Sequence, residues 1–477
     1  MPASIKFSFK KEIALIETPN QAPVLQVTGN TLSLDHLPAG LLAAFRILDN
    51  EGATRPQLTE LVAQSEGAAG VADFDAYLDR FIKLGFICQT VDTDSGPLAT
   101  LVPFGPSASI STDKVNKNNL YILSRFAYCH QVDGQMVLES PLTTAQIILH
   151  DWRSLALIGG LTRPNTYIDL CREVAGISPE AAKLFFVLLL NMNAIAIVED
   201  STSRAEENRA LAPWEFHDLL FHARSRLGRH GYPYGAVYPL KGIIEPPPVT
   251  KPPMSDQVID LYKPDLDQLK ETDLPFTFVL EQRRSIRQYG ERPITQTQLG
   301  EFLYRVGRVK TTINKNSEDL TLRPYPSGGA RHSLELYLVV NTCLNIPKGI
   351  YHYAPELHQL GRLPANNDYF DQLLRWGRFA LEDQDTPQVL IAITARFARV
   401  YWKYKSMAYA LILKDVGVLY QTMYLVATAM DLAPCAIGGG NSDLFAKAIG
   451  TDYYEETSVG EFALGSKPKL EVNRNES

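Results

Sequence analysis

Arg283-Arg284-Ser285-Ile286-Arg287 puts three guanidinium groups and a hydroxyl within five residues. A planar guanidinium fork meets two phosphate oxygens at once, so this is a phosphate-seeking pattern. Further along come Pro326-Ser327-Gly328-Gly329-Ala330-Arg331 and Ile437-Gly438-Gly439-Gly440, and then Lys467. Glycine pairs let a backbone approach a flat ring closely, and Lys467 supplies another cation. Together these segments predict a site for a phosphorylated, ring-bearing cofactor. Each has a plainer reading alone. A basic run suits the C-terminal end of a helix over 276–282, and glycine runs are often turns or flexible loops. None is a GxGxxG fingerprint or a P-loop.

Lys403-Tyr404 is a second pair with chemical potential. It lies in an aromatic stretch, Tyr401-Trp402-Lys403-Tyr404-Lys405, which also fits an exposed helix entry. A phenol beside an ammonium group can act as a general base.

The elements that must position these groups occupy 477 residues, enough for two to four domains. Hydrophobic residues make up 45% and charged residues 21%, an ordinary globular composition. The net charge of −7 argues against broad nucleic-acid binding. The five cysteines are scattered singly, without CxxC or Cys/His metal spacing, so no metal site is expected. Their dispersal fits a reducing cytoplasm. No signal peptide is expected at the start of the chain. The apolar run 408–430 is interrupted by Lys414 and Asp415, so it reads as a buried helix and no membrane partner is expected.

The N-terminal part repeats. Thr54-Arg55-Pro56 returns as Thr162-Arg163-Pro164, an offset of 162 − 54 = 108, and the apolar run 86–91 returns at 194–199. Each copy begins with extended segments, including a Gly29-Asn30 turn in the first and an Asp133-Gly134 hairpin in the second. A helix carrying Leu41, Leu42, Phe45 and Leu48 on one face follows. A second helix is expected to start at Pro56 or Pro164. A third, from about 74 to 84, stops at Gly85, and a strand closes the unit. This order predicts tandem winged helix-turn-helix domains at 1–100 and 115–200. Residues 1–100 hold 7 Lys/Arg and 12 Asp/Glu, a net of 7 − 12 = −5. That balance disfavours DNA. Peptide binding by strand addition is easier for this fold, and a structural or dimerising role stays open.

Residues 201–275 read as a connector, with a polar start (201–208), an amphipathic helix over 214–227 bearing His217 and His222, and a stiff Pro246-Pro247-Pro248 run. The last domain, 276–477, mixes helix patterns (298–306, 408–430) with strand patterns (334–341, 389–394), so the fold class is α+β.

In order and combination, segments 283–289, 326–331, 349–353, 403–404 and 437–441 resemble the SagB-type branch of the nitroreductase-like flavoproteins. The resemblance covers roughly 277–470, and Trp214-Glu215-Phe216-His217-Asp218 is similar to the region upstream in that branch. The duplicated winged helices, similar to precursor-peptide-recognition domains, point within it to the cyanobactin thiazoline oxidases. The resemblance implies a C-terminal nitroreductase-like FMN-binding domain. Arg283, Ser285 and Arg287 would then hold the FMN phosphate and ribityl chain, with Lys467 as a second phosphate cation. Arg284 would lie near the N1/C2 edge. Pro326, Ser327, Gly328 and Gly329 would pass close to the isoalloxazine, with Gly438 and Gly439 near N5. Lys403 and Tyr404 would be catalytic. It further implies a homodimer, an azoline-containing precursor peptide as substrate and molecular oxygen as acceptor. The alternatives are an NAD(P)H-dependent nitroreductase or flavin reductase, a non-catalytic peptide-binding protein and, least favoured by charge, a DNA-binding regulator.

Overall fold

The computed structural model describes residues 3–27, 29–106, 114–198, 209–315, 318–364 and 366–469. The polar start of the connector at 201–208 lies outside them. The chain divides into two compact units, Met1–Tyr232 and Pro233–Ser477. The fold is α+β, with the helix-turn-helix repeats first and the mixed sheet-and-helix unit after them.

The first unit contains both repeats. In copy one, Ser4–Phe9 pairs with Ala53–Thr54 on one side and Ile87–Thr93 on the other. In copy two, Tyr121–Leu123 pairs with Ile195–Ile197 and bridges Asn165, which is the same arrangement. The hairpins fall at the expected turns. Val24–Val27 returns as Asn30–Ser33, and Tyr128–Val132 returns as Gln135–Glu139 through Asp133 and Gly134, both at positive φ (48° and 82°). Helix Ala39–Asp49 buries Leu41, Phe45 and Leu48 as the 3.6-residue spacing requires.

Helix starts differ from expectation in two places. In copy one a single stretch, Arg55–Leu84, covers both expected helices, broken only at Gly67 (φ 67°, ψ −161°). Thr54 and Gln57 form a capping box at its start and Gly85, at φ 74°, ends it. In copy two the helix begins at Tyr167 rather than Pro164, capped by Thr166. Asn165 is held in extended form by reciprocal backbone bonds to Tyr121 (2.8 and 3.0 Å), so the chain cannot turn earlier.

The repeats are fused through one sheet. Gly96–Pro103 pairs with Ala145–Leu149, giving a seven-stranded antiparallel sheet that runs from Ala53–Thr54 in copy one to Tyr128–Val132 in copy two. Glu139, 3% exposed, lies under the helix Phe216–Arg224. Its carboxylate accepts from the Tyr128 hydroxyl (2.5 Å), His130 Nε2 (2.8 Å) and Arg224 Nη1 (3.3 Å). Burial first, and then Glu139, pushes the Tyr128 phenol far up.

The second unit is built on another seven-stranded antiparallel sheet. Its order is Val258–Asp260, Gln359–Arg362, Gly349–Ala354, Leu334–Val340, Val389–Arg396, Glu456–Ser466 and Leu432–Ile437. Every residue of Leu334–Val340 is buried, because the sheet is covered on both faces. Leu334, Leu336, Leu338 and Val340 face one core with Phe302, Leu303 and Met423. Tyr337 and Val339 face the other, with Phe370, Leu374 and Phe445. Helix Ala408–Ala429 lines the first core through Ile412, Val416, Leu419 and Met423. Among the described residues it is the one helix long and apolar enough to cross a membrane.

The expected connector does not stand apart. Residues from Pro233 on belong to the second unit, and Val258–Asp260 forms an edge strand of its sheet. The proline-rich run is tied down by its carbonyls. Arg399 donates to Pro247 O (2.8 Å), Arg396 to Pro248 O (2.8 Å) and Trp402 Nε1 to Ile244 O (3.2 Å). Extended proline-rich chain makes no internal hydrogen bonds, so these carbonyls are available to an external donor.

Candidate active site

Helix Phe276–Gln282 ends at Arg283, and an irregular segment then runs beside the strand Leu432–Ile437. Ile286 N donates to Pro434 O (2.8 Å) and Gly290 N to Ser466 O (3.0 Å). Those two bonds bring the arginine-rich segment alongside the turn that carries Lys467. Gly290 has to be glycine, since a Cβ there would sit 2.8 Å from Lys467 O.

Two of the side chains meet at Tyr424 on the long helix. Arg283 lies over its ring (5.3 Å to the centroid), and Ser285 Oγ is 2.7 Å from its hydroxyl. That hydroxyl accepts from Ala436 N (2.8 Å). Its own proton can then go to Ser285, which leaves the serine proton free for an incoming acceptor. Arg287 has a buried Nε without a hydrogen-bond partner, with Glu382 Oε1 3.4 Å away. Arg284 is exposed and makes no hydrogen bond or ion pair among the described residues. Lys467 pairs with Asp431 (2.6 Å) but stays 38% exposed. A guanidinium donor that makes no hydrogen bond and a serine proton left available by Tyr424 suit a phosphate.

The second cluster forms near the start of the same helix. Asp415 accepts from Ser327 Oγ (2.5 Å) and Gly328 N (3.0 Å), and Ser327 Oγ in turn accepts from His332 N (2.9 Å). Burial raises the Asp415 pKa, while the bonds from Ser327 and Gly328 pull the other way. Gly329 has φ 62°, and a Cβ on it would collide with the Tyr404 hydroxyl. Gly328 lies against Leu411. The Pro326–Gly329 turn and Tyr404 therefore share one surface. Asp415 and Tyr424 are nine residues apart on the helix, so the two clusters are separated by about 14 Å.

Lys403 and Tyr404 follow the short helix Phe397–Tyr401. The Lys403 ammonium is 5.7 Å from the Tyr238 ring centroid and 5.9 Å from that of Tyr404. Tyr238 N donates to Lys403 O (3.0 Å), and Ala236 bridges Tyr404. The segment after Pro233 thus fastens this pair.

Two buried arginines hold the clusters in register. Arg331 Nε donates to Arg399 O (2.9 Å), and Arg399 Nη2 donates to Arg331 O (2.9 Å). This cross-brace joins the glycine turn to the segment leading into Lys403-Tyr404. Burial, together with Arg331, Arg396 and Arg323, pushes the Arg399 pKa down to about 9. Burial and the nearby Arg323 and Arg399 hold the His332 imidazole down to about 3, so it is neutral.

Gly438 and Gly439 are exposed, with open space where a Cβ would stand, whereas Gly440 abuts the Glu461 carboxylate. Burial raises the Glu461 pKa. Gly438 and Gly439 could therefore lie under a flat ring. Asp415, Tyr424, Arg399 and Glu461 were not anticipated. Asp415 had a signal, a charge interrupting an apolar helix.

Comparisons with known proteins agree with this layout. The ThcOx helix-turn-helix domain model matches residues 1–112, and the cyanobactin oxidase ThcOx model matches 121–231. The nitroreductase family model matches 280–466. Residues 1–231 are thus similar to the domains of cyanobactin oxidases, and residues 280–466 to the nitroreductase family. A protein of Methanocaldococcus jannaschii named as a nitroreductase is 27% identical over 180 residues, covering 38% of this chain and 84% of its own. The trifolitoxin-processing protein TfxB of Rhizobium leguminosarum bv. trifolii is 28% identical over 159 residues, or 32% of this chain. A solved structure from Anabaena variabilis, also named as a nitroreductase, has 22% identity and a TM-score of 0.38 over 54% of this chain. The chain spans 38% of the length of TfxB and 47% of the Anabaena chain. The nitroreductase-family match over 280–466 supports an oxidoreductase.

Proposed function

We propose that this chain is an FMN-dependent oxidase acting on a ribosomally made peptide. It converts thiazoline rings to thiazoles, with oxazoline as the second candidate substrate and molecular oxygen as acceptor. The observation that carries this reading is the Tyr404 hydroxyl packed against the Pro326–Gly329 turn. That packing puts a proton acceptor beside the segment expected to flank a flavin ring. Peptide as substrate is supported by the cyanobactin oxidase and helix-turn-helix matches that precede the nitroreductase match.

Arg283, Ser285 and Arg287 would hold the phosphate and ribityl chain, helped by Lys467. Pro326, Ser327, Gly328, Gly329, Gly438 and Gly439 would lie against the ring, and Arg284 would face its N1/C2 edge, where a fixed cation favours developing negative charge. When bound, FMN supplies a hydride acceptor and a route for the electron pair to oxygen, released as hydrogen peroxide. Aromatising an azoline removes one proton and one hydride. Tyr404, acting as a phenolate stabilised by the Lys403 ammonium, would take the proton from the α carbon and become the neutral phenol. The winged-helix repeats would hold the peptide.

We further propose a homodimer formed through the exposed stripe of the long helix, where Leu413, Gly417 and Val418 face outward. The winged-helix domains are proposed at 1–100 and 115–200 and the oxidase domain at 276–477, within a unit that also takes in the connector from Pro233 on.

The direct test incubates the yellow full-length protein with a thiazoline peptide and oxygen. A loss of two hydrogen masses per ring supports the reading. An unchanged peptide together with rapid NAD(P)H oxidation would assign a small-molecule reductase instead.

A further inference from the structure

The second unit contains a groove that the flavin site does not use. It has a volume of about 590 Å³ and is walled by Phe397, Tyr401, Tyr409, Tyr453, Tyr454 and Ser442. That volume is in the usual range for small-molecule sites, about 300–1,000 Å³. Phe397 packs edge-on to Tyr401 (centroids 6.5 Å apart) and tilted against Tyr409 (6.3 Å). Tyr453 and Tyr454 make a T-shaped pair at 5.4 Å, and Tyr454 is 85% exposed.

The wall chemistry selects the ligand. No residue lining the groove carries a formal charge. Burial raises the phenol pKa values of Tyr401 and Tyr409, keeping both neutral. The polar side chains are already engaged, since Ser442 Oγ donates to Ser458 O (2.9 Å) and Thr457 Oγ1 to Ser442 O (2.9 Å). What the groove offers is aromatic faces and edges. A carboxylate entering it would lose water and meet no cation, whereas a flat ring would gain stacking and edge contacts.

Two of the wall residues adjoin site residues along the chain. Tyr401 lies three residues before Tyr404, and Ser442 directly follows the Gly438–Asn441 segment. We infer that this groove seats flat, uncharged rings of the peptide next to the ring undergoing oxidation. It would favour chains that already carry several heterocycles. The inference rests on the oxidase reading above and names the feature of the substrate that the same site recognises.

The experiment uses the flavin-loaded full chain without turnover. Fluorescence anisotropy compares a labelled peptide bearing two thiazole rings with the same peptide carrying the uncyclised cysteines. Wild type is expected to bind the ring peptide about tenfold tighter. Tyr454→Ala and Tyr409→Ala are expected to lose that preference, and Tyr454→Phe to keep it. Leu357→Ser, an exposed position elsewhere in the unit, should behave as wild type. Equal wild-type affinities, or a preference that survives both alanine substitutions, would overturn the inference. So would conversion of dimer to monomer by Tyr454→Ala in sedimentation velocity, which would make the groove a contact between copies. Ring preference without thiazoline oxidation would keep the groove and remove the oxidase reading. Oxidation without ring preference would do the reverse.

Discussion

The Tyr404 hydroxyl occupies the space that a Cβ on Gly329 would require. Two segments 75 residues apart (404 − 329) in the sequence are thus locked at a point that requires a glycine. Gly329→Ala must displace Tyr404 and also strains a backbone at φ 62°. Turnover should fall at least tenfold in steady-state oxygen uptake, with a stability loss of about 1 kcal/mol. Tyr404→Phe should retain flavin colour and lose turnover; unchanged turnover would remove Tyr404 from the chemistry.

Asp415 anchors the glycine turn through two hydrogen bonds. Asp415→Ala leaves the Ser327 hydroxyl and Gly328 amide without their acceptor. Each such loss costs about 1–3 kcal/mol. Flavin release measured by ultrafiltration should increase tenfold or more. Asp415→Asn, which keeps one acceptor oxygen, should do less.

Arg287 tests the phosphate end. Its buried Nε makes no hydrogen bond and has only the exposed Glu382 carboxylate 3.4 Å away, so it should gain a charge-assisted bond when phosphate arrives, a contribution of about 1.5–3 kcal/mol. Arg287→Gln should therefore weaken FMN binding by tenfold to a hundredfold and leave riboflavin binding nearly unchanged. An equal loss for both ligands would place the phosphate elsewhere.

The motifs were legible where chemistry demands a residue type in a short window. Arg283–Arg287 and Pro326–Gly329 are such windows. Their hosts were not legible, because Ser327 meets Asp415 across 88 residues and Ser285 meets Tyr424 across 139. Hydrophobic period gave the helix Ala39–Asp49 and the strand Leu334–Val340 well. The proline-rich run reads as a stiff connector from its composition alone. Nothing local reveals that Arg396 and Arg399, about 150 residues downstream, donate to its carbonyls. The late start of the copy-two helix likewise depends on Tyr121, not on residues beside Pro164.

The arginine cross-brace can be tested by stability. Arg399→Ala leaves the carbonyls of Arg331 and Pro247 without their donors. Urea unfolding should show a loss of about 3 kcal/mol, with turnover reduced because Lys403-Tyr404 follows the braced segment.

His332 predicts acid sensitivity of defined sign. Its folded pKa is lowered to about 3, while the unfolded value is about 6.5. Between those limits the unfolded chain binds a proton that the native chain refuses, so stability falls as pH drops. The slope is about 1.4 kcal/mol per pH unit for that proton. His332→Gln should flatten the dependence of melting temperature on pH between roughly 6 and 4. An unaltered slope would place the proton uptake on other groups.

The ribbon shared by the two N-terminal repeats has a practical corollary. Because Gly96–Pro103 is zipped to Ala145–Leu149, cutting the chain between the duplicates would not liberate two miniature modules. It would bare a raw margin on each fragment, ready to recruit stray chains into aggregates. The two repeats are welded into one sheet, so any shortened version of the protein should keep both halves or neither.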